Sequence, residues 1–245
     1  MSNALSSELN NMNPVAFGEM QFTDIQAGSQ LQNCTSHRIY QRKEALYLAG
    51  DSFKGVYQLR SGSAKASVCS SSGDEHISEF FYPGDIIGID GFDTYQHIQN
   101  IRFLETSSVV CIKDAHIGYL MQTSEKFRRG LLQAMSHCLV CEQQMLLHLT
   151  NSSSEQRVAQ FLLDISQRFK SRGYSGEQFN LSMTRTDIAS YLGMAIETLS
   201  RTLSVFQNLN IVEVKHRKIR INDWCALEAR SYAKIDDLLT DVASR

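Results

Sequence analysis

Residues 184–207 read TRTDIASYLGMAIETLSRTLSVFQ, and this stretch decides the fold of the C-terminal part of the chain. Thr184 or Thr186 can cap a short helix that carries Ile188, Ala189 and Leu192. Gly193 then supplies a tight turn, and a second helix from about Ala195 is expected to bury Ile196, Leu199, Leu203 and Phe206. A small residue in the first helix, Gly in the turn and apolar residues locking the second helix at a steep angle are what a helix-turn-helix requires. The N-terminal positions of the second helix left facing outward are Glu197, Thr198, Ser200 and Arg201. A guanidinium can donate two bonds to guanine O6 and N7, and a carboxylate can accept from cytosine N4. Glu197 and Arg201 are also i,i+4 partners, so the carboxylate can hold the guanidinium in place, or the two can form a plain surface salt bridge.

Downstream, Ile211-Val212-Glu213-Val214 and Lys215-His216-Arg217-Lys218-Ile219-Arg220-Ile221 read as two short strands joined by a basic turn. That makes the wing of a winged helix. Lys215, Arg217 and Lys218 suit phosphates, as do Thr184, Arg185, Thr186 and Thr198 around the two helices. Such contacts add affinity and salt dependence but no sequence information.

Upstream, Asn151-Ser152-Ser153-Ser154 followed by Glu155 predicts a break and a new N-cap. Residues 155–172 then form an amphipathic helix with Val158, Phe161, Leu162 and Ile165 on one face. Residues 114–150 are helical in pattern, with no proline. Met135, Leu139, Leu146 and Leu149, with Glu142 among them, follow alternating steps of four and three, as in a coiled-coil seam. A second stripe (Leu120, Phe127, Leu131, Ala134, Cys138, Cys141, Met145) runs beside it. One stripe can face a partner helix and the other the chain's own core, so a homodimer is expected. Before that, residues 21–113 show short β-branched and aromatic runs cut by turns at Gly50-Asp51, Ser61-Gly62, Ser72-Gly73-Asp74, Pro83-Gly84-Asp85 and Asp90-Gly91. Their spacing is that of a β-sandwich or barrel.

The chain has 245 residues, of which 42% are hydrophobic and 20% charged, so a normal buried core is possible. No run is long and apolar enough for a membrane span. The opening MSNALSSELNNMNP has neither a basic nor an apolar leader region, so a cytoplasmic protein is expected. Its six cysteines are scattered, which fits free thiols better than a disulfide framework. Net charge is −2, but its distribution is uneven: residues 1–150 hold 11 Lys/Arg against 15 Asp/Glu, and residues 151–222 hold 10 against 6. A basic segment in an acidic chain suits a local polyanion-binding module or a solvated basic face.

The wording YLAGDSFKGVYQLRSGSAK (47–65), FFYPGDIIGID (80–90) and MTRTDIASYLGMAIETLSR (183–201), in the order β-roll, long helix, helix-turn-helix and wing, resembles the Crp/Fnr family of bacterial transcription regulators, nearest its Fnr-like branch. The resemblance covers roughly residues 40–221. It implies an α+β chain: a flexible tail over 1–20, a cyclic-nucleotide-binding-like β-roll sensor domain (jelly roll) over 21–113, a dimerisation helix over 114–150, a winged helix-turn-helix over 151–222 and a helical extension over 223–245. It also implies a homodimer on an inverted repeat of double-stranded DNA with TTGAT-type half-sites, read by Glu197, Ser200 and Arg201, and RNA polymerase as a further partner. Glu142 stands where Fnr relatives place an aspartate that weakens dimerisation.

Three departures from the family pattern bear on the signal. The stretch Gly91-Phe92-Asp93-Thr94-Tyr95-Gln96-His97-Ile98-Gln99-Asn100 matches the phosphate cassette of cyclic-AMP-binding relatives but lacks its Arg, with Arg102 the nearest candidate. The N-terminal region offers only Cys34 where iron–sulfur relatives carry three cysteines, and Val110, not Cys111, takes the place of the fourth. Both cyclic AMP and a [4Fe-4S] cluster, which ordinarily needs four thiolates, are therefore disfavoured and no cofactor is expected. Cys138 and Cys141 form a C-x-x-C on one helical face, which suits a redox pair, a metal held between two chains, or two small buried residues. A cupin-type metalloenzyme is the rival reading, but His37, His76, His97 and His116 are isolated. No G-x-S-x-G, P-loop or H-E-x-x-H motif is present, so an enzyme is not expected.

Overall fold

The computed structural model describes residues 35–70 and 73–231, with the side chains of residues 144–151 outside that description. The expected tail over 1–20, the start of the expected β-roll with Cys34, and the extension beyond 231 lie outside the described residues. Two compact units are separated between Glu142 and Gln143, inside the segment expected as a single dimerisation helix.

In the first unit, β1 (Thr35–Tyr40), β2 (Ala45–Tyr47), β3 (Gly55–Ser61), β4 (Ala64–Cys69), β5 (Glu75–Phe81), β6 (Ile86–Ile87), β7 (Asn100–Phe103) and β8 (Ser107–Lys113) build two antiparallel four-stranded sheets. Their orders are β1-β8-β3-β6 and β2-β7-β4-β5. Strand β8 shows why its sequence is apolar at successive positions. Val109 and Cys111 face the core between the sheets, with Leu59, Ala66 and Phe103, whereas Val110 and Ile112 face a second core under the helices. A strand covered on both faces does not alternate between apolar and polar. At Gly55 (φ 139°) a Cβ would lie 2.0 Å from the Ile112 carbonyl oxygen, so the β3–β8 approach requires glycine.

The helical run from 114 differs from the single helix expected. It is broken at Ser124 into α1 (Asp114–Thr123) and α2 (Glu125–Asn151). Ser124 leaves helical geometry (φ −117°, ψ 102°), and its hydroxyl accepts from the Phe127 N–H at 3.2 Å as an N-cap. The break lets both helices drop apolar residues into one core: Ile117 and Leu120 from α1, and Phe127, Leu131 and Ala134 from α2. Each large side chain so buried contributes about 1.5–3 kcal/mol.

The second unit holds α3 (Ser154–Ser171), β9 (Gln178–Asn180), α4 (Arg185–Tyr191), α5 (Ile196–Asn208), β10 (Val212–Lys215), β11 (Lys218–Ile221) and α6 (Trp224–Ser231). Ser153 caps α3 in a capping box with Gln156. Val158, Phe161, Leu162 and Ile165 are buried along it. The wing is part of a three-stranded sheet in the order β10-β11-β9, because Gln178–Asn180 adds a strand that the two-strand reading lacked. Helix α6 packs on α3 through the buried Leu227 and an ion pair between Arg230 and Glu155 at 2.8 Å.

Candidate nucleic-acid interface

Helix α4 starts at a capping box. The Thr184 hydroxyl accepts from the Asp187 N–H at 3.1 Å, and the Asp187 carboxylate accepts from the Thr184 N–H at 2.9 Å. The cap is therefore Thr184, and Thr186 is an exposed residue of the first turn. Gly193 turns the chain at φ 59°, in the left-handed region that favours glycine. Helix α5 then buries Leu199, Thr202, Leu203 and Phe206.

Ile196 departs from expectation: it is 38% exposed. It is the first residue of α5, a turn ahead of Leu199 where the packing begins. Thr202, unremarked in the sequence, takes the buried place beside Leu203.

Glu197 and Arg201 are exposed, while Thr198 and Ser200 are half-buried beside them. The structure brings these residues onto one side of the N-terminal half of α5. The Arg185 guanidinium reaches the Ser200 hydroxyl at 3.5 Å, which joins the start of α4 to the reading surface of α5. Glu197 and Arg201 form no ion pair among the described residues, contrary to the expected i,i+4 partnership. An exposed pair of that kind is worth only about 0.3–0.5 kcal/mol, against the entropy of fixing two long side chains. Both groups thus remain available to a ligand.

The expected wing contacts separate into three kinds. Lys215 pairs with Glu213 on its own strand, and this hydrogen bond and charge hold the Glu213 carboxyl below its usual range. Arg217 donates to the Ser182 carbonyl at 3.1 Å, which ties the wing turn to the segment before α4. Lys218 is exposed at the start of β11, and His216 makes the turn with φ 57°. Lys218→Ala is expected to weaken binding to any duplex equally and to flatten the dependence of log affinity on log salt. The slope should fall by about two for a dimer, one per phosphate contact. Titrations at several salt concentrations check this.

Arg157 on α3 is a residue that the sequence reading missed. Its guanidinium donates to the carbonyls of Leu192 at 2.8 Å and Gly193 at 3.3 Å, so it clamps the turn that sets the angle between α4 and α5. A cation on an amphipathic helix reads as a solvated residue, and nothing in its spacing marks the carbonyls it reaches.

In the β-roll, the cassette over 91–100 is filled by its own residues. His97, 2% exposed, stacks on Tyr47 with ring centroids 3.5 Å apart and meets the edge of Phe53. Asp90 accepts from Tyr47 Oη at 2.9 Å, from the N–H groups of Ile98 at 3.0 Å and Gln99 at 3.3 Å, and lies 3.2 Å from His97 Nδ1. Burial opposes ionisation of Asp90, but the His97 and Tyr47 bonds outweigh it and hold the carboxyl below its ordinary value. Burial and the Asp90 carboxylate push Tyr47 well up, so it stays a donor. Gly91 lies so close that a Cβ would come within 2.4 Å of the Phe53 ring. The donors of this cassette thus serve an internal carboxylate. Arg102 is exposed on β7 and reaches the Lys43 carbonyl at 3.4 Å.

Cys69, Cys111, Cys138, Cys141 and Cys225 are not in disulfides, and no three His, Cys, Asp or Glu side chains gather to hold a metal among the described residues. No described helix is long and apolar enough to cross a membrane.

On the proposed seam, Met135 is 38% and Leu139 62% exposed, and Glu142 is exposed. Leu132, one turn earlier and 54% exposed, extends the same stripe. The side chains of Leu146 and Leu149 lie outside the described residues. Of the inner stripe, Leu120, Phe127, Leu131 and Ala134 are buried, while Cys138 and Cys141 are half-buried.

Comparison with known proteins agrees with this architecture. A Crp-like helix-turn-helix domain model matches residues 156–230, and a cyclic nucleotide-binding domain model matches residues 37–124. The anaerobic regulatory protein of Haemophilus influenzae is 39% identical over 75% of this chain and 71% of its own length. The transcriptional activator protein Anr of Pseudomonas protegens is 38% identical over 79% of this chain and 81% of its own. The structure of FixK2 from Bradyrhizobium japonicum aligns with TM-score 0.73 at 25% identity, over 81% of this chain and 98% of FixK2. These relatives are regulators and not enzymes, and with them this chain belongs to the Crp/Fnr family of DNA-binding transcription regulators.

Proposed function

We propose that this chain acts in the cytoplasm as a homodimer that binds an inverted repeat of TTGAT-like half-sites and controls transcription through contact with RNA polymerase. It does so without cyclic AMP or an iron–sulfur cluster. The observation that carries the reading is the set of side chains on the outer side of α5: Glu197 and Arg201 exposed and unpaired, with Ser200 beside them. Carboxylate, hydroxyl and guanidinium in that order supply an acceptor for cytosine and a two-pronged donor for guanine. The reading of the β-roll as free of nucleotide rests on the filled cassette around Asp90 and His97.

The test is a titration of reduced protein, with nothing added, against a duplex carrying TTGAT-N4-ATCAA and a scrambled duplex at the same salt. The palindrome is expected to bind tighter by about two decades or more. Equal, weak binding to both duplexes counts against the assigned half-site or against activity without a ligand.

Dimerisation through α2 is supported by the exposed apolar stripe of Leu132, Met135 and Leu139. In that arrangement the two Glu142 carboxylates approach one another near the axis, and like charges disfavour association. Glu142→Ala is expected to lower the dimer dissociation constant several-fold in sedimentation equilibrium. An unchanged constant would count against this seam.

A further inference from the structure

The turn between α4 and α5 is held from outside itself. Helix α5 has Ala195 as its N-cap, whose side chain offers no cap to the first N–H groups. Leu192 and Gly193 follow the last turn of α4, where helix carbonyls lack partners of their own. Helix α3 supplies partners from two residues one turn apart on a single face. Phe161 meets the Tyr191 ring with centroids 6.0 Å apart. Arg157 donates from one guanidinium nitrogen to both carbonyls, at 2.8 Å to Leu192 and 3.3 Å to Gly193. The apolar contact joins the two helices, whereas the charged one ties the turn.

Stability alone does not account for Arg157. Its Nε is buried and meets no acceptor, and the guanidinium forms no ion pair among the described residues. A buried donor left unmet is a cost to folding. The two carbonyl bonds and the favourable place of a cation at the C-terminal end of α4 work against that cost.

We propose that Arg157 is a positioning residue for base reading: without touching DNA, it fixes the angle at which α5 presents Glu197, Ser200 and Arg201 to the groove. This rests on the role proposed above for those three side chains. Arg201 lies about 9 Å along the helix from Ala195, at about 1.5 Å per residue. A swing of about 10° at the turn therefore moves its root by about 1.6 Å. The N···O distance of a hydrogen bond varies by only about 0.5 Å, so a bidentate contact does not survive that swing. Attraction to phosphates does, because it is Coulombic and tolerates small displacements. Loss of the clamp thus removes discrimination between sequences and spares non-specific binding.

The test uses the full chain with Arg157→Met, which keeps an apolar stem of similar reach, and Arg157→Lys, which keeps the charge and a donor. Far-UV dichroism checks that each is folded. Each protein is titrated at several salt concentrations against the TTGAT-N4-ATCAA duplex and the scrambled duplex. Arg157→Met is expected to lose affinity for the palindrome by about tenfold or more and to stay within about threefold of the wild type on the scrambled duplex. Its dependence of log affinity on log salt should be unchanged, since the residue meets carbonyls and not phosphates. Arg157→Lys should fall between the two. A wild type that discriminates while Arg157→Met discriminates equally well overturns this inference alone. So does an equal loss on both duplexes with a flatter salt dependence, which would make Arg157 a phosphate contact, and so does an Arg157→Lys as poor as Arg157→Met. A wild type that does not discriminate overturns the base-reading role of α5 and this inference with it.

Discussion

Arg201→Ala is expected to lower affinity for the palindromic duplex by about two to three decades and to leave binding to a scrambled duplex within about threefold. A bidentate contact from arginine to guanine supplies about 1–3 kcal/mol of discrimination. A dimer on an inverted repeat makes that contact twice, so about 2–6 kcal/mol is at stake. The substitution removes little else. Arg201 is exposed and has no ion pair with Glu197, so thermal stability should stay within about 0.5 kcal/mol of the wild type. Anisotropy titrations on both duplexes at one salt concentration check the expectation. If affinity falls equally on both, Arg201 is meeting phosphates, and the base-reading role assigned to this face of α5 is wrong. If neither changes, α5 does not enter the groove.

The recognition unit was legible because its signals are local. Thr184 with Asp187 three residues later, Gly193 in the turn, and Leu199, Leu203 and Phe206 at helical spacing each act within one or two turns of chain. The β-roll was legible through its turns, and the two stripes of α2 through their period: Phe127, Leu131 and Ala134 are inside while Met135 and Leu139 are outside. What escaped was set by tertiary contact or by competition. Ser124 looks like one polar residue in a helical run until its hydroxyl is seen capping the Phe127 N–H, where the need to bury Phe127 under the β-roll selects the break. Ile196 has the spacing of a core residue but sits at the end of its helix, where packing has not begun. Strand β9 is three residues long, too short for any periodicity, and exists because β11 offers it an edge. The partners of Asp90 are scattered along the sequence at Tyr47 and His97–Gln99, so no spacing rule could have joined them.

That last cluster carries the second large expectation. Asp90→Ala should destabilise the β-roll unit by about 3–5 kcal/mol, because it leaves several buried polar groups without the carboxylate that accepts from them. The carboxylate side chain is only 11% exposed, and its removal strands the Tyr47 hydroxyl, His97 Nδ1 and the Ile98 N–H without their acceptor. Each buried polar group left unmet costs about 1–3 kcal/mol. Asp90→Asn keeps one carbonyl acceptor and loses the charge, so it should fall between wild type and Asp90→Ala. Urea unfolding reads both as a lower midpoint at similar slope. The pH dependence follows from the sign of the shift. Asp90 is held below its ordinary value in the folded chain, so its stabilisation is complete above the unfolded-chain value, near about 3.9. It is lost as pH falls through the lower native value. The gap between wild type and Asp90→Ala should therefore be constant from neutral pH to about 5 and close only below about 4. A gap under about 1 kcal/mol at neutral pH would mean that the stacked rings of Tyr47 and His97, and not the carboxylate, hold the cassette shut. The carboxylate would then not be what closes the cassette to a cyclic phosphate.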